Sequence, residues 1–318
     1  MKTSDGGEFI RQASSFRHWV TPDGAPGPSG EGGFPAEPGR YHLYVSYACP
    51  WAHRTLIVRA LKDLEPVIPI SVVHPLMPPE SWVFGEYPGA TPDRVHGFQA
   101  LHQLYAQAAP GFSGLVTVPV LYDTHRQVIV NNESSEIIRM LNGAFNAWGR
   151  RGLDLYPEPL RPQIDAINAI VYENVNNGVY RAGFATSQSA YEAAYDRLFE
   201  TLDDLERRLA RQRYLVGDRL TEADWRLFTT LVRFDAVYYG HFKCNRRRLI
   251  DYPSLWAYTR ELYQMPGIAA TVRMDHIKLH YYGSHRGINP TGIVPKGPAL
   301  DFAAPHGRES IGLGAVGS

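Results

Sequence analysis

Tyr41-His42-Leu43-Tyr44-Val45-Ser46-Tyr47-Ala48-Cys49-Pro50-Trp51-Ala52-His53-Arg54 is the stretch from which the rest of the chain can be read. Residues 41–47 alternate in polarity and are rich in aromatics, the pattern of a strand. From Ala52 to Leu64 the chain reads as a helix that Pro66 stops, although Leu56, Val58, Ala60 and Leu61 keep mixed spacing. Cys49 therefore stands where a strand ends and a helix begins. A thiol there meets unpaired amides and the positive end of the helix dipole. Both favour thiolate, so its pKa is expected to fall below the free value of about 8.5. Pro50 costs no hydrogen bond just inside the helix. This is the setting of a nucleophilic cysteine.

The neighbouring segments give that pair a context. Residues 67–73 read as a second short strand, and Pro69 suggests an edge or bulge position. Residues 75–114 are loop-like with a helical piece over 98–108. Residues 116–123 form a strand interrupted by Pro119. Residues 128–130 are its partner across the polar turn 123–127, and 134–141 read as a helix. Strand–helix–strand, hairpin, helix is the thioredoxin order. From about Pro162 the pattern is helical. Tyr191, Tyr195, Leu198, Leu202, Leu205 and Leu209 recur at steps of four and three, with Arg207, Arg208 and Arg211 near the C-terminal end. Thr221-Glu222-Ala223-Asp224 reads as a helix N-terminal box. The expected fold class is α/β plus all-α, a thioredoxin-like domain over 41–145 followed by a helical domain over 160–287. An irregular extension (1–40) and a Gly/Pro-rich coil (288–318) flank them, and a linker lies near 146–162.

Three further features narrow the chemistry. A dithiol oxidoreductase has a second cysteine three residues after the first, and here that position is Ala52. A mixed disulfide at Cys49 must then be resolved by an outside thiol, for which glutathione is the abundant choice. Pro119 after Val118 is expected to be cis, opposite the reactive cysteine, leaving the preceding amide and carbonyl to pair with a peptide-like ligand. Glu133-Ser134, at a helix start, offers amides and a hydroxyl to a carboxylate and a carboxylate to an ammonium, the two ends of an amino-acid head group. The plainer reading is simple capping of that helix by Asn132 or Ser134, and both readings can hold at once.

Composition excludes several classes. The 318 residues are 44% hydrophobic and 20% charged, with 32 basic against 32 acidic side chains. Nothing in that balance calls for nucleic acid or an anionic membrane as partner. Arg246-Arg247-Arg248 reads as a solvated face. The N-terminus lacks the apolar region of a secretory signal, and no apolar run approaches membrane-spanning length. Cys49 and Cys244 are the two cysteines, which favours a reducing, cytoplasmic setting, with Cys244 a buried structural thiol. No phosphate loop or dinucleotide fingerprint occurs, so no nucleotide cofactor is expected. His276 and His280 are four apart, but no further ligand stands at useful spacing, so no metal is expected.

Cys-Pro-Trp-Ala-His-Arg (49–54), Val118-Pro119-Val120-Leu121 and Asn131-Asn132-Glu133-Ser134-Ser135-Glu136-Ile137 resemble an omega-type glutathione transferase. The second half resembles one branch of that family, the glutathionyl-hydroquinone reductases or Xi class. It does so through Asn176-Asn177-Gly178-Val179-Tyr180-Arg181, Thr221-Glu222-Ala223-Asp224-Trp225-Arg226, the run from Arg233 to Asn245, the run from Asp275 to Tyr282, and Ile288-Asn289-Pro290-Thr291-Gly292. The resemblance extends from about residue 35 to 298. It implies that Cys49 is the nucleophile and that Trp82, Val116, Thr117, Val118, Pro119, Glu133 and Ser134 meet glutathione, the co-substrate. Tyr180 would exchange a proton with an aromatic substrate, and Tyr238 and Tyr281 would hydrogen-bond near the thiolate. Tyr239 and Tyr282 stand beside the latter two. The resemblance also implies a homodimer formed through the helical domain. The implied reaction is reduction of glutathionyl-hydroquinones through a Cys49–glutathione disulfide. A thiol transferase or dehydroascorbate reductase of omega type and a non-enzymatic glutathione- or quinone-binding protein are the alternatives.

Overall fold

The computed structural model describes residues 2–28 and 33–311; the parts of the expected extension and coil at Met1, 29–32 and 312–318 lie outside the described residues. The chain forms two compact units that interleave along the sequence. One takes residues 13–154 and 270–286, the other 1–12, 155–269 and 287–318. This differs from the contiguous split expected above.

In the first unit, β1 (Val20–Thr21) and β2 (Phe34–Pro35) pair in parallel, so the segment before Tyr41 is not wholly irregular. The main elements follow as β3 (Tyr41–Val45), α1 (Pro50–Leu61), β4 (Ile70–Val72), α2 (Leu101–Ala108), β5 (Val120–Asp123), β6 (Val128–Asn131) and α3 (Ser134–Gly143). The sheet order is β4-β3-β5-β6, with β3 parallel to β4 and antiparallel to β5, and β6 antiparallel to β5. This is the thioredoxin-like arrangement. Every residue of β3 is buried, as suits a central strand covered on both faces. β4 is an edge, which explains how Pro69 is accommodated; its carbonyl still accepts from the Leu43 amide at 3.0 Å. The mixed spacing in α1 has a plain cause: nine of its twelve residues are buried, and it packs on α3 as well as the sheet. Across the sheet, Arg40 grips the buried Asp123 through Nη2 at 2.6 Å, and Asp123 also accepts from the His125 and Arg126 amides, closing the polar turn before β6.

His42 of β3 is buried against Ser71, Nε2 to Oγ 2.8 Å. Burial pushes its imidazole down to about 4. The unfolded chain therefore takes up this proton first, near pH 6.5, and stability falls as pH drops from there towards 4. His241 in the other unit, also pushed down to about 4 by burial, acts in the same sense. The expected loss from His42 alone is on the order of 3 kcal/mol. Asp224 in the other unit, its carboxyl raised to about 6 by burial, acts in the opposite sense over this range. The His42 share is therefore read from a difference: His42→Asn should lose less melting temperature between pH 7 and 4 than the wild type, and parallel profiles would contradict this.

The second unit comprises α4 (Arg161–Ile170), a π-helical segment (Val171–Asn176), α5 (Gly178–Gly183), α6 (Gln188–Leu209), α7 (Glu222–Arg233), a second π-helical segment (Phe234–Tyr238) and α8 (Pro253–Tyr263). All twelve residues of α7 are buried, so it is the central helix of this unit. Asp224 accepts from the Thr221 amide at 2.8 Å, completing the reach-back half of the expected box. It also accepts from Leu215 N and Tyr258 Oη, and burial raises its carboxyl to about 6 despite these donors. Residues 287–311 return to this unit. There Arg308, 1% exposed, bonds Glu261 and the Leu209, Gln212 and Arg213 carbonyls, the open C-terminal end of α6.

Helix α9 (Met274–Ser284) belongs with the thioredoxin-like unit. His276 and His280 do not face a common point for a metal. Each meets a backbone carbonyl, Pro88 at 2.7 Å and Pro75 at 2.9 Å, and His53 of α1 meets Thr271 just before the helix at 2.8 Å. No helix among the described residues is long and apolar enough to cross a membrane.

Candidate active site

Cys49 is the N-cap of α1, in extended conformation (φ −76°, ψ 122°). No side chain caps this helix and its first turn carries no acidic residue, so the sulfur has no anionic rival there. The residue is half-buried and in no disulfide. Its Sγ lies 3.5 Å from the Val118 carbonyl, and the Val118–Pro119 bond is cis. Among the described residues the Val118 amide donates to no protein group. One peptide donor thus stands open beside the sulfur for an extended ligand to take.

The approach to Val118 is held by a residue that the motifs did not single out. Tyr105 of α2, 1% exposed, donates to the Thr117 carbonyl at 2.9 Å, and its hydroxyl accepts from the Thr117 amide and from Asn132 Nδ2, each at 3.3 Å. A buried phenol at helix spacing from Leu101 and Leu104 looks like ordinary core in a sequence. Val116 and Thr117 are half-exposed and Val118 and Pro119 buried.

Glu133, not Asn132 or Ser134, caps α3. Its Oε1 accepts from the Ser135 amide (3.0 Å) and hydroxyl (2.8 Å), and its Oε2 from the Ser14 hydroxyl (2.9 Å). Burial would push this carboxyl up, but the Ser135 amide and hydroxyl, the Ser14 hydroxyl and the nearby Arg54 outweigh it and hold the group below the usual carboxylate range. Ser134 is the first residue of α3, and its hydroxyl accepts from Arg54 Nη1 at 3.3 Å. Arg54, five residues after the cysteine, also lies over the Trp51 ring at 4.5 Å. The two helix N-termini are thus tied together by one buried cation.

Trp82 is buried and stacks on His280 of α9, with centroids 4.8 Å apart and planes at 19°. Tyr281, next on α9, is 1% exposed, whereas Tyr282 is half-buried. Cys49, Val118, Pro119, Glu133, Ser134, Trp82 and Tyr281 therefore share one unit. Tyr180 and Tyr238 are brought together in the other, with ring centroids 6.2 Å apart and Phe242 stacked on Tyr238. Gly183 is required there, because a Cβ would sit 2.2 Å from the Phe242 ring. Arg11 from the N-terminal segment lies 4.8 Å over the Tyr180 ring and bonds Asn177. The two π-helical segments adjoin these tyrosines, Val171–Asn176 before α5 and Phe234–Tyr238 ending on Tyr238 itself. Cys244 is fully buried, and burial pushes its thiol well up. A cavity bounded by Phe84, Tyr87, Pro92 and Phe98 is lined by none of the predicted site residues.

The Glutathione S-transferase N-terminal domain matches residues 48–144 and the Glutathione S-transferase C-terminal domain residues 188–261. Glutathionyl-hydroquinone reductase YqjG of Escherichia coli K12 is 58% identical over 96% of this chain and 94% of its own. The glutathione transferase Xi of Phanerochaete chrysosporium superposes with a TM-score of 0.90 at 52% identity, covering 96% of this chain and 97% of that one. The chain belongs to the glutathionyl-hydroquinone reductases, the Xi class of glutathione transferases. Glutathionyl-hydroquinone reductase PcpF of Sphingobium chlorophenolicum is 53% identical over 93% of this chain and 91% of its own. The glutathione-bound structure of YqjG superposes with a TM-score of 0.91, covering 92% of this chain and 96% of that one. Membership in this family fits a site with one half-exposed thiol, no second cysteine at position 52, and a carboxylate and an open amide in the same unit.

Proposed function

We propose that this chain reduces glutathionyl-hydroquinones to hydroquinones with Cys49 as nucleophile and glutathione as reductant. The observation that carries the reading is the Cys49 sulfur, half-exposed at an uncapped helix N-terminus and beside the open peptide edge of Val118. The γ-glutamyl end of glutathione is bound by Glu133, through its ammonium, and by Ser134 and the start of α3, through its carboxylate. The cysteinyl part pairs with Val118, flanked by Val116, Thr117 and Pro119, and Trp82 adds contact area.

In the first step the Cys49 thiolate attacks the sulfur of the substrate thioether. A sulfur–sulfur bond forms, the sulfur–aryl bond breaks, and the ring carbon takes a proton from Tyr180, with Tyr238 and Tyr281 as the further phenol donors that the family resemblance implies. In the second step a glutathione thiolate attacks the glutathionyl sulfur of the mixed disulfide, releasing oxidised glutathione and the Cys49 thiolate. Over the cycle the thioether sulfur and one glutathione thiol each give up one electron to become the two sulfurs of oxidised glutathione, the aryl carbon gains both, and the proton that glutathione loses restores Tyr180. With both cysteines free, we assign the enzyme to the reducing cytoplasm, and we assign it a homodimer through the helical unit, as the family resemblance implies.

Turnover of glutathionyl-menadiol should release menadiol and oxidised glutathione in equal amounts, at a rate well above that with dehydroascorbate. The reverse preference would make the chain an omega-type reductase, and binding without oxidised glutathione would make it a binding protein. Tyr180→Phe removes the proposed proton donor and leaves the ring; it should lower kcat about a hundredfold with little change in the glutathione KM. An unchanged kcat would remove Tyr180 from the reaction.

A further inference from the structure

The outer edge of β6 is covered by the chain's own N-terminal segment. The His18 amide donates to Val130 O at 3.0 Å, the Asn132 amide to Phe16 O at 3.1 Å, and Arg17 forms an antiparallel bridge with Asn131. Side chains reinforce the pairing. Asn132 Oδ1 accepts from the Phe16 amide (3.0 Å), Asn131 Nδ2 donates to His18 O (3.0 Å), and Arg17 pairs with Glu136 through Nε (2.7 Å). An edge strand otherwise presents unpaired backbone groups. The register of this covering segment delivers Ser14 to Glu133.

The Ser14 hydroxyl lies 2.9 Å from Glu133 Oε2 and 3.3 Å from Asn132 O. It has one proton, and the nearer, charged oxygen takes it. A carboxylate has about four acceptor directions. Two at Oε1 are filled by the Ser135 amide and hydroxyl, and one at Oε2 by Ser14. One direction on Oε2 is left, and Ser14 fixes where it points.

We propose that Ser14 is a positioning residue that aims the last acceptor direction of Glu133 at the ammonium of the γ-glutamyl group of glutathione. The proposal rests on the reading of Glu133 given above. Ser14→Ala should weaken glutathione binding and raise its KM about three- to tenfold, with kcat at saturation within about twofold. Ser14→Thr, which keeps the hydroxyl, should restore most of the affinity. The decisive probe is N-acetylglutathione, which lacks the ammonium: measured calorimetrically, wild type and Ser14→Ala should bind it equally. Equal affinity of the two proteins for glutathione itself would overturn the proposal. So would an equal loss for both ligands, which is the mark of a merely structural role. Glu133→Ala separates the two levels. If it binds glutathione as the wild type does, the reading of Glu133 fails; if it binds weakly while Ser14→Ala does not, Glu133 stands and the positioning role falls.

Discussion

Replacing Cys49 with serine is expected to abolish turnover of glutathionyl-hydroquinones, by about a thousandfold or more. The hydroxyl is nearly isosteric with the thiol, but at neutral pH it is not ionised and cannot form the disulfide on which the second step depends. The side chain is half-buried at a helix N-cap, a position that serine fills well, so the melting temperature should stay within a few degrees of wild type. Glutathione binding should survive, because Glu133, Ser134 and Val118 are untouched. Cys244→Ala is the matched control. That thiol is fully buried and held in its protonated form, so its loss should cost about 1 kcal/mol of stability and leave the activity in place. Residual turnover of more than a few per cent in the Cys49→Ser protein, measured as oxidised glutathione released, would require another nucleophile.

The second large effect concerns stability. Arg308→Ala is expected to destabilise the helical unit by roughly 3–5 kcal/mol, because it breaks a buried ion pair. The side chains of Arg308 and Glu261 are 2% and 3% exposed, so solvent cannot replace what is lost. Glu261 keeps Arg213 at 2.7 Å and Tyr214 at 3.1 Å, which moderates the cost towards the lower end. The carbonyls of Leu209, Gln212 and Arg213, however, lose their donor at the end of α6. Phe302, packed on Trp256 and Tyr263, would remain as the tail's apolar anchor. A drop in melting temperature on the order of 10 °C should be seen by circular dichroism. Arg308→Lys should recover only part of it, since an ammonium cannot span four acceptors as the planar guanidinium does. A melt unchanged within 1 °C would mean that the tail contributes nothing to the fold.

The cysteine and its surroundings were legible in the sequence because each rested on local chemistry. The aromatic strand, Pro50 at the helix start and Pro119 before β5 each act through their own backbone, so neighbours in sequence suffice to read them. Glu133 and Ser134 were legible as a pair but not in their division of labour. The cap is Glu133 because Asn132 is drawn away by Phe16 and Tyr105. Features that depend on long-range backbone contacts left no comparable trace. The segment around Phe16 pairs with β6 through main-chain groups that any residue carries, so an extension read as irregular hid an edge strand's cover and with it Ser14. Likewise, α9 has an unremarkable helical pattern. What ties it to the thioredoxin-like unit is histidines meeting the Pro75 and Pro88 carbonyls, a role that their i, i+4 spacing disguises as metal ligation. Arg308 is one arginine in a polar tail until α6 and Glu261 are seen around it.

The claim on which the mechanism depends is that Cys49 itself carries glutathione between the two steps. Intact-mass and peptide-mass analysis of the enzyme, quenched in acid after one equivalent of glutathionyl-menadiol without free glutathione, tests it directly. The account predicts one glutathione bound as a disulfide on the peptide containing Cys49, together with a stoichiometric burst of menadiol, and loss of the adduct when glutathione is added. Menadiol released with Cys49 unmodified, or an adduct found on Cys244 instead, would contradict it.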